Sequence, residues 1–391
     1  MKAVAIVDGE HYPDVVRAAL EELPYEFVGV MLIGGTEKLR GVPDYGVPLV
    51  TEPGDAEIAV DLSDEPVLDP RTRLFLASRF LADGIPYVGA DFRFDPPELH
   101  PVERPSLAVI GTGKRVGKTA VTGHVARLLA RDRSVVVVAM GRGGPAEPEL
   151  VETPPTLEDL VALSRRGRHA ASDHLETAVL AGVPTIGCRR AGGGLAGAPF
   201  TSNVLEGARL AVGLDPDVIV FDGSGAAVPP VAVGARILVA HDAASGLNPY
   251  RVLISDLVLT MSDEVARDVQ ALGKPVLRFG LRLRPLEPVA GTRIALFTTG
   301  AAPFAHLDAD VVFSSRNLSD RAALADELRG VDADTFVVEI KAAAIDVVVE
   351  AALARGAHVV FADNEVVAEG LDDAILSLAP AARRLAAERQ V

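Results

Sequence analysis

The chain of 391 residues contains a single cysteine, Cys188, and no tryptophan. A lone cysteine excludes an intramolecular disulfide framework and any cysteine-based zinc cluster, and it is what a reducing compartment favours. The cytoplasm is the expected location. Aromatic residues are scarce, at 5%, although 49% of the chain is hydrophobic. Ala, Val, Leu and Gly therefore carry the apolar content, which is the composition of buried parallel strands. No apolar run reaches the roughly 18 residues that a membrane span needs. The run from Met1 to Val7 lacks the basic segment, long apolar stretch and cleavage site of an export signal. A soluble protein that is not exported and has no membrane partner is expected. Basic residues are also in deficit, with 38 Lys and Arg against 54 Asp and Glu and a formal charge of -16. Binding a nucleic acid rests on neutralising its phosphates, so this balance argues against such a partner. Small anions remain open to it, which makes each local cluster of arginines informative.

At about 100 to 200 residues per domain, the length suggests two or three domains. A strand-like run at Ala3 to Val7, a helical pattern from Pro13 to Leu23 and a second apolar run at Phe27 to Ile33 give β-α-β order. This first α/β domain is assigned to 1–103 and closes in a proline-rich linker. A longer α/β pattern follows over 104–286, with strands expected at Leu107 to Ile110, Val135 to Ala139, Val218 to Phe221, Ile237 to Val239 and Leu257 to Thr260. Beyond the break at Pro285 to Pro288, four more apolar runs alternate with Ala-rich helical stretches over 287–391. That region is either a third α/β unit or an extension of the second. The expected class is α/β, with a P-loop NTPase core built on a mainly parallel sheet, a smaller N-terminal α/β domain and a C-terminal α/β region.

Gly111-Thr-Gly-Lys-Arg-Val-Gly-Lys-Thr119 lies directly after an apolar strand and before a helical run from Ala120 to Arg131. In that setting the backbone from Gly111, Thr112 and Gly113 through Val116, Gly117, Lys118 and Thr119 to Ala120 can wrap the phosphates of ATP. Lys118 can reach the β and γ phosphates, and Thr119 can ligate Mg²⁺. The usual spacing would put the first glycine where Thr112 stands, and Gly111 and Gly113 flank that place. The loop resembles that of dethiobiotin synthetases, G-T-D-T-E-V-G-K-T. Their later strand ends in E-G-A-G-G, as Val218-Ile-Val-Phe-Asp222-Gly-Ser-Gly225 does here. Asp222 is therefore the expected metal carboxylate opposite Thr119.

Another strand tip reads Ala139-Met-Gly-Arg142-Gly-Gly-Pro-Ala-Glu147-Pro-Glu149. Arg142 offers a planar fork of donors, and Glu147 or Glu149 could complete the metal shell. Basic residues gather in three places: Lys114-Arg115 in the loop, Arg165-Arg166-Gly-Arg168-His169, and Arg189-Arg190 before Gly192-Gly193-Gly194. Arginines beside exposed backbone N–H groups hold phosphate oxygens, each charge-assisted bond being worth roughly 1.5 to 3 kcal/mol. One triphosphate already held by the loop does not need them all. A second, strongly anionic substrate is implied.

Taken as a set, Asp8-Gly-Glu-His-Tyr-Pro13, the phosphate loop, Met140-Gly-Arg-Gly-Gly-Pro145, Gly167-Arg-His-Ala-Ala-Ser-Asp-His174, Gly187-Cys-Arg-Arg-Ala-Gly-Gly-Gly194 and Asp222-Gly-Ser-Gly-Ala-Ala-Val-Pro-Pro230 resemble the cyclic 2,3-diphosphoglycerate synthetases. That family tends to carry Glu where Asp222 stands, one methylene longer. The resemblance implies an ATP- and Mg²⁺-dependent ligase that closes 2,3-bisphosphoglycerate into a ring through an intramolecular phosphoanhydride. Lys118, Lys114, Arg115, Arg142, Arg189 and Arg190 would then be catalytic, and Arg168, His169, Gly192, Gly193, Gly194 and His11 would bind substrate. Two other readings compete. A dethiobiotin-synthetase-like ligase explains the loop and Asp222 but leaves the arginines unused. A regulatory P-loop ATPase carries a second lysine in G-K-G-G-V-G-K-T, where this chain has Gly113. The sequence leaves the oligomeric state open, a homodimer being one option.

Overall fold

The computed structural model describes residues 1–300, 303–341 and 343–378, so the last part of the C-terminal region lies outside the described residues. The N-terminal unit begins with β1 (Lys2–Val7), which is buried from Ala3 onward. Pro13 opens α1 (Pro13–Glu22), where its missing N–H costs no hydrogen bond, and Val16 and Leu20 bury the inner face. Strand β2 (Glu26–Leu32) lies parallel to one edge of β1, and β3 (Ile58–Asp61) to the other. Helix α2 (Pro70–Ala82) is capped by the Asp69 side chain, which accepts from the Thr72 N–H. With β4 (Tyr87–Val88) and β5 (Arg93–Phe94) the sheet is five-stranded, in the order 2-1-3-4-5.

A short strand in the linker, β6 (His100–Pro101), leads into the large sheet. Its elements are β7 (Ser106–Gly111), α3 (Lys118–Leu129), β8 (Val135–Gly141), β9 (Glu149–Val151), α4 (Leu157–Arg165) and α5 (Asp173–Ala181). They continue with β10 (Thr185–Ala191), β11 (Thr201–Ser202), α6 (Val204–Gly213) and β12 (Val218–Asp222). After β13 (Val231–Ala232), which pairs with β6, come β14 (Ala235–Ala240), α7 (Asn248–Leu253), β15 (Leu257–Thr260), α8 (Asp263–Ala271) and β16 (Val276–Arg278). The nine-stranded sheet runs 11-10-8-12-7-14-15-16, with β9 antiparallel on β10. Both faces are covered, which is why its strands read as unbroken apolar runs. Leu107, Val109, Val137 and Val220 face α3, while Ile110, Val138, Ile219 and Phe221 face α6, as a period of two requires. Cys188 packs so tightly on α6 that a side chain at Gly207 would meet its sulfur at 2.2 Å. Burial pushes this thiol up to about 12, so it is inert at neutral pH.

The chain then forms a sheet of its own from β17 (Gly280–Pro285), β18 (Arg293–Phe297), β19 (Asp310–Ser315), α9 (Arg321–Leu328), β20 (Thr335–Glu339), a π-helical turn at Ala344–Val349, α10 (Glu350–Ala354) and β21 (His358–Val367). The order is 17-21-20-18-19, parallel except for β17. The proline break at Pro285 therefore falls at the end of a strand of this sheet. Leu160, Val161 and Leu175 from α4 and α5 share its core with Phe297, Phe336 and Val338. On the other side of the molecule Leu247 and Tyr250, in and before α7, enter the N-terminal core beside Phe80 and Leu81 of α2. Among the described residues no helix is long and apolar enough to cross a membrane.

Candidate active site

The phosphate loop joins the C-terminal end of β7, at the middle of the large sheet, to the first turn of α3. Gly117 caps α3 with φ +90°, and a side chain there would lie 3.3 Å from Phe279 and Leu281. Both the backbone angle and the packing therefore ask for glycine. Gly113 is closed from the other side, since a side chain on it would meet the His241 ring at 2.7 Å. His241, at the tip of β14, lies 2.8 Å from the Thr112 hydroxyl through Nδ1 and donates its backbone N–H to the same oxygen at 3.1 Å. Thr112 thus takes the place of the usual glycine because its hydroxyl anchors the loop to β14. The sequence alone gave no signal for this partner. Lys114 and Arg115 stand exposed at the crest, and Arg115 has a positive φ of 59°.

Asp222, at the end of β12, is buried and sits directly opposite. It accepts from the Lys118 ammonium and, at 2.7 Å, from the Thr122 hydroxyl. Thr119 follows Lys118 in the first turn of α3. Glu149 is not part of it. It lies on β9, separated from β7 by β10, β8 and β12, about 19 Å at the usual 4.7 to 4.9 Å per strand. Its carboxylate instead accepts from Arg168 at 3.1 Å. The expectation that Glu149 completes a metal shell with Thr119 and Asp222 does not fit this geometry. Glu147 is exposed in the loop before it.

The loop after β12 crosses the phosphate loop so closely that a side chain on Gly111 would lie 3.0 Å from the Gly225 carbonyl. Over Gly225 stand two guanidinium groups. A side chain at that glycine would meet Arg142 at 2.6 Å and Arg190 at 3.9 Å. Arg190 is mostly buried and donates to the carbonyls of Gly192 and Ser224 at 2.5 and 2.8 Å, leaving its Nε without a partner. Burial, then the charge of Arg142, hold its pKa below the ordinary value. Among the described residues neither guanidinium forms an ion pair with a carboxylate. Arg189 does not join them. Strand alternation turns it to the other face of β10, where it is exposed and its backbone is held by Asn203, whose side-chain oxygen accepts the Arg189 N–H at 2.6 Å. Gly192, Gly193 and Gly194 form an exposed turn beside Arg190. Gly192 has φ +71° and Gly194 donates to the Ala198 carbonyl at 2.8 Å.

The second basic cluster resolves into separate contacts. Arg165 makes a bidentate pair with Glu350 at 2.7 and 2.8 Å, and Arg166 bonds the Ala162 carbonyl. Arg168 and His169 line a cleft with Gly143, Glu149, Ser172 and His174, adjoining the loop that carries Arg142. Burial depresses the pKa of His174 and keeps its ring neutral.

His11 is committed to carboxylates. Its Nδ1 lies 2.8 Å from Asp8, and Nε2 lies 3.6 Å from Asp64. That acidic setting does not favour an anion, so the expected substrate contact at His11 has no support here. Asp8 is fully buried and also accepts the N–H groups of Asp64 and Glu10, at 2.7 and 2.9 Å. Burial works to raise its pKa, but these three donors together hold it below the ordinary value. The folded protein then binds this proton less readily than the unfolded chain. Stability contributed by Asp8 is present above the unfolded pKa of about 3.9 and is lost as pH falls through the lower folded value. Urea midpoints measured from pH 6 to pH 3 are expected to fall more steeply for the parent than for Asp8→Asn, in which that titration is absent.

Three successive family models match the chain. Residues 2–95 match the N-terminal domain of cyclic 2,3-diphosphoglycerate synthetase, 106–277 its P-loop domain and 285–365 its C-terminal domain. A cyclic 2,3-diphosphoglycerate synthetase of Rubrobacter xylanophilus is 48% identical over 98% of both chains. Enzymes of the same name from Thermococcus kodakarensis and Pyrococcus abyssi are 44% and 41% identical, over 93% and 96% of this chain and 94% and 97% of theirs. Among solved structures, LpxK from Aquifex aeolicus in complex with ATP aligns with a TM-score of 0.43 at 15% identity, over 72% of this chain and 90% of that one. By the family models and the named relatives, which run through the three large sheets and the phosphate loop, the chain belongs to the cyclic 2,3-diphosphoglycerate synthetase family.

Proposed function

We propose that the protein uses ATP to close 2,3-bisphosphoglycerate into cyclic 2,3-diphosphoglycerate, releasing ADP and phosphate. The observation that carries this reading is the meeting of the phosphate loop with the Arg142 and Arg190 forks, which no described carboxylate pairs. A triphosphate lies along the loop, and the arginines stand beyond Asp222 on the β8 and β10 side, where a second anion fits. A dethiobiotin-like reaction on a diamino acid leaves both forks without a partner.

An oxygen of one substrate phosphate attacks the γ-phosphorus of ATP, and ADP leaves with the electrons of the broken P–O bond. An oxygen of the neighbouring substrate phosphate then attacks the phosphorus that carries the transferred group. The bond to that group breaks, inorganic phosphate leaves and the ring closes. Two like-charged phosphates have to be held within reach of each other, so positioning and charge neutralisation supply most of the rate. Lys118 shifts from Asp222 to the β and γ phosphates when ATP binds. The hard oxygen donors of Thr119 and Asp222 suit Mg²⁺, which when bound offsets charge on the β and γ oxygens.

We assign residues 1–103, 104–286 and 287–391 to three domains, and the cytoplasm as the compartment, where buried Cys188 stays reduced. Light scattering decides between monomer and homodimer. The function is tested by mixing purified protein with Mg-ATP and 2,3-bisphosphoglycerate and following phosphorus NMR. Resonances of a cyclic anhydride, growing with ADP and phosphate in equal amounts, are expected. Hydrolysis of ATP without a cyclic product overturns the assignment.

A further inference from the structure

In the C-terminal sheet the chain leaves β18 for β19 on one side and returns to β20 on the other. Such a reversal opens a crevice at the carboxyl ends of the strands, where open α/β sheets bind ligands. Here α5 of the P-loop domain docks there. Lys341, just past β20, donates to Glu176 of α5, and Leu175 enters the core beneath. Glu339, at the end of β20, is buried and accepts from the Thr299 N–H and hydroxyl at 2.6 and 2.9 Å and from the Asn364 amide at 2.5 Å.

Helix α5 begins at Asp173, whose carboxylate would lie 3.0 Å from a side chain on Gly141. That glycine precedes Arg142 at the tip of β8. Asp173 makes no described hydrogen bond or ion pair of its own through its carboxylate, yet its charge acts on Arg190, on Lys341 and on Glu176. Its charge is thus felt by Arg190 on one side and by Lys341 on the other.

We propose that Lys341 is a positioning residue of the second-substrate site: by holding Glu176 it fixes the first turn of α5, and so places Asp173 as the counter-charge that aligns Arg142 and Arg190. The inference rests on the proposed reading of those arginines as substrate ligands. Burial pushes Glu176 up to about 7, against the pull of Lys341. Burial also opposes the charge on Lys341, and Glu176, then Asp173 and Glu339, outweigh it. A buried ion pair of this kind is poor value as mere adhesive, because apolar residues of similar volume hold domains together at least as well. The same two domains are already joined at the surface by Arg165 and Glu350. What an apolar pair cannot supply is a directional hold on the first turn of α5, where Asp173 sits.

The test compares Lys341→Met, Lys341→Arg, Asp173→Asn and, as a control on the other interdomain pair, Arg165→Ala. Binding of 2,3-bisphosphoglycerate is measured by calorimetry with a non-hydrolysable ATP analogue present, binding of the analogue alone is measured separately, and thermal unfolding is followed for each variant. Lys341→Met and Asp173→Asn are expected to weaken 2,3-bisphosphoglycerate by about tenfold or more, on the scale of one charge-assisted contact. Affinity for the ATP analogue stays within about twofold, Lys341→Arg recovers most of the loss, and Arg165→Ala changes neither ligand. Equal weakening of both ligands, or unchanged 2,3-bisphosphoglycerate binding in a folded Lys341→Met protein, overturns the proposal. Should Lys341→Met fail to fold, Asp173→Asn, at an exposed position, decides alone: parental affinity overturns the proposal. Parent protein that binds no 2,3-bisphosphoglycerate overturns the functional reading and this inference with it. Parental binding with unaffected variants overturns this inference only.

Discussion

Lys118→Ala is expected to lower kcat by about 10² to 10³-fold at saturating ATP, as removal of one preorganised donor to a transition-state oxyanion does elsewhere. The side chain is partly buried at the start of α3, within bonding reach of Asp222, and its ammonium lies on the path between the loop and the strand facing it. In the unliganded protein it neutralises Asp222. With a triphosphate in the loop, the same short movement carries it to the oxygens that gain charge as the γ-phosphoryl is transferred. Removing it leaves buried Asp222 with the Thr122 hydroxyl at 2.7 Å, so a lower melting temperature is expected beside the loss of turnover. Steady-state turnover together with a thermal unfolding curve checks both halves. A folded Lys118→Ala protein with parental kcat would remove the phosphate loop from the mechanism.

Arg190→Ala is expected to raise KM for 2,3-bisphosphoglycerate by about 10²-fold, the equivalent of one or two charge-assisted hydrogen bonds at roughly 1.5 to 3 kcal/mol each. KM for ATP should move little, because the loop and Lys118 hold the triphosphate independently. Arg190 is the mostly buried member of the pair and is held by the Ser224 and Gly192 carbonyls, so its fork is aimed before substrate arrives. Arg190→Lys keeps the charge but loses the planar fork and both carbonyl anchors. It should recover less than about a tenth of the lost affinity. Arg189→Ala, on the opposite face of β10, serves as the internal comparison and should leave both KM values near those of the parent. If Arg189→Ala proves the more damaging of the two, the geometry assigned to the β10 tip is wrong.

The apolar runs led to the right strands because a strand buried on both faces has no choice but to be apolar. β15 occupies the predicted residues, and β7, β12 and β14 extend them by one to three. The loop and Asp222 were legible for a similar reason, since cradling a phosphate demands a local order of glycines, lysine and hydroxyl that few other purposes require. Arg189 and Arg190 look equivalent in the sequence. Only the alternation of β10, and which helix covers each of its faces, separates the fork that meets Arg142 from the one in solvent. Glu149 looked like a metal ligand because it follows a strand tip closely in sequence. The chain turns back there as β9 and carries it to the outside of β10, beside Arg168.

His241 and Glu176 left no mark in the sequence, because their meaning lies entirely in what they face. His241 is 129 residues from Thr112, and Lys341 is 165 residues from Glu176. By itself, the sequence determined the class of fold, the phosphate loop and its facing carboxylate. All of these are imposed by short-range chemistry or by burial. The tertiary structure alone decided which arginines converge, that Glu149 pairs with Arg168, that His11 sits among carboxylates, and that Lys341 of the C-terminal sheet meets Glu176 of α5. Those facts depend on strand order and helix docking, in which residues far apart in the chain come within bonding distance and neighbours in the chain are turned apart.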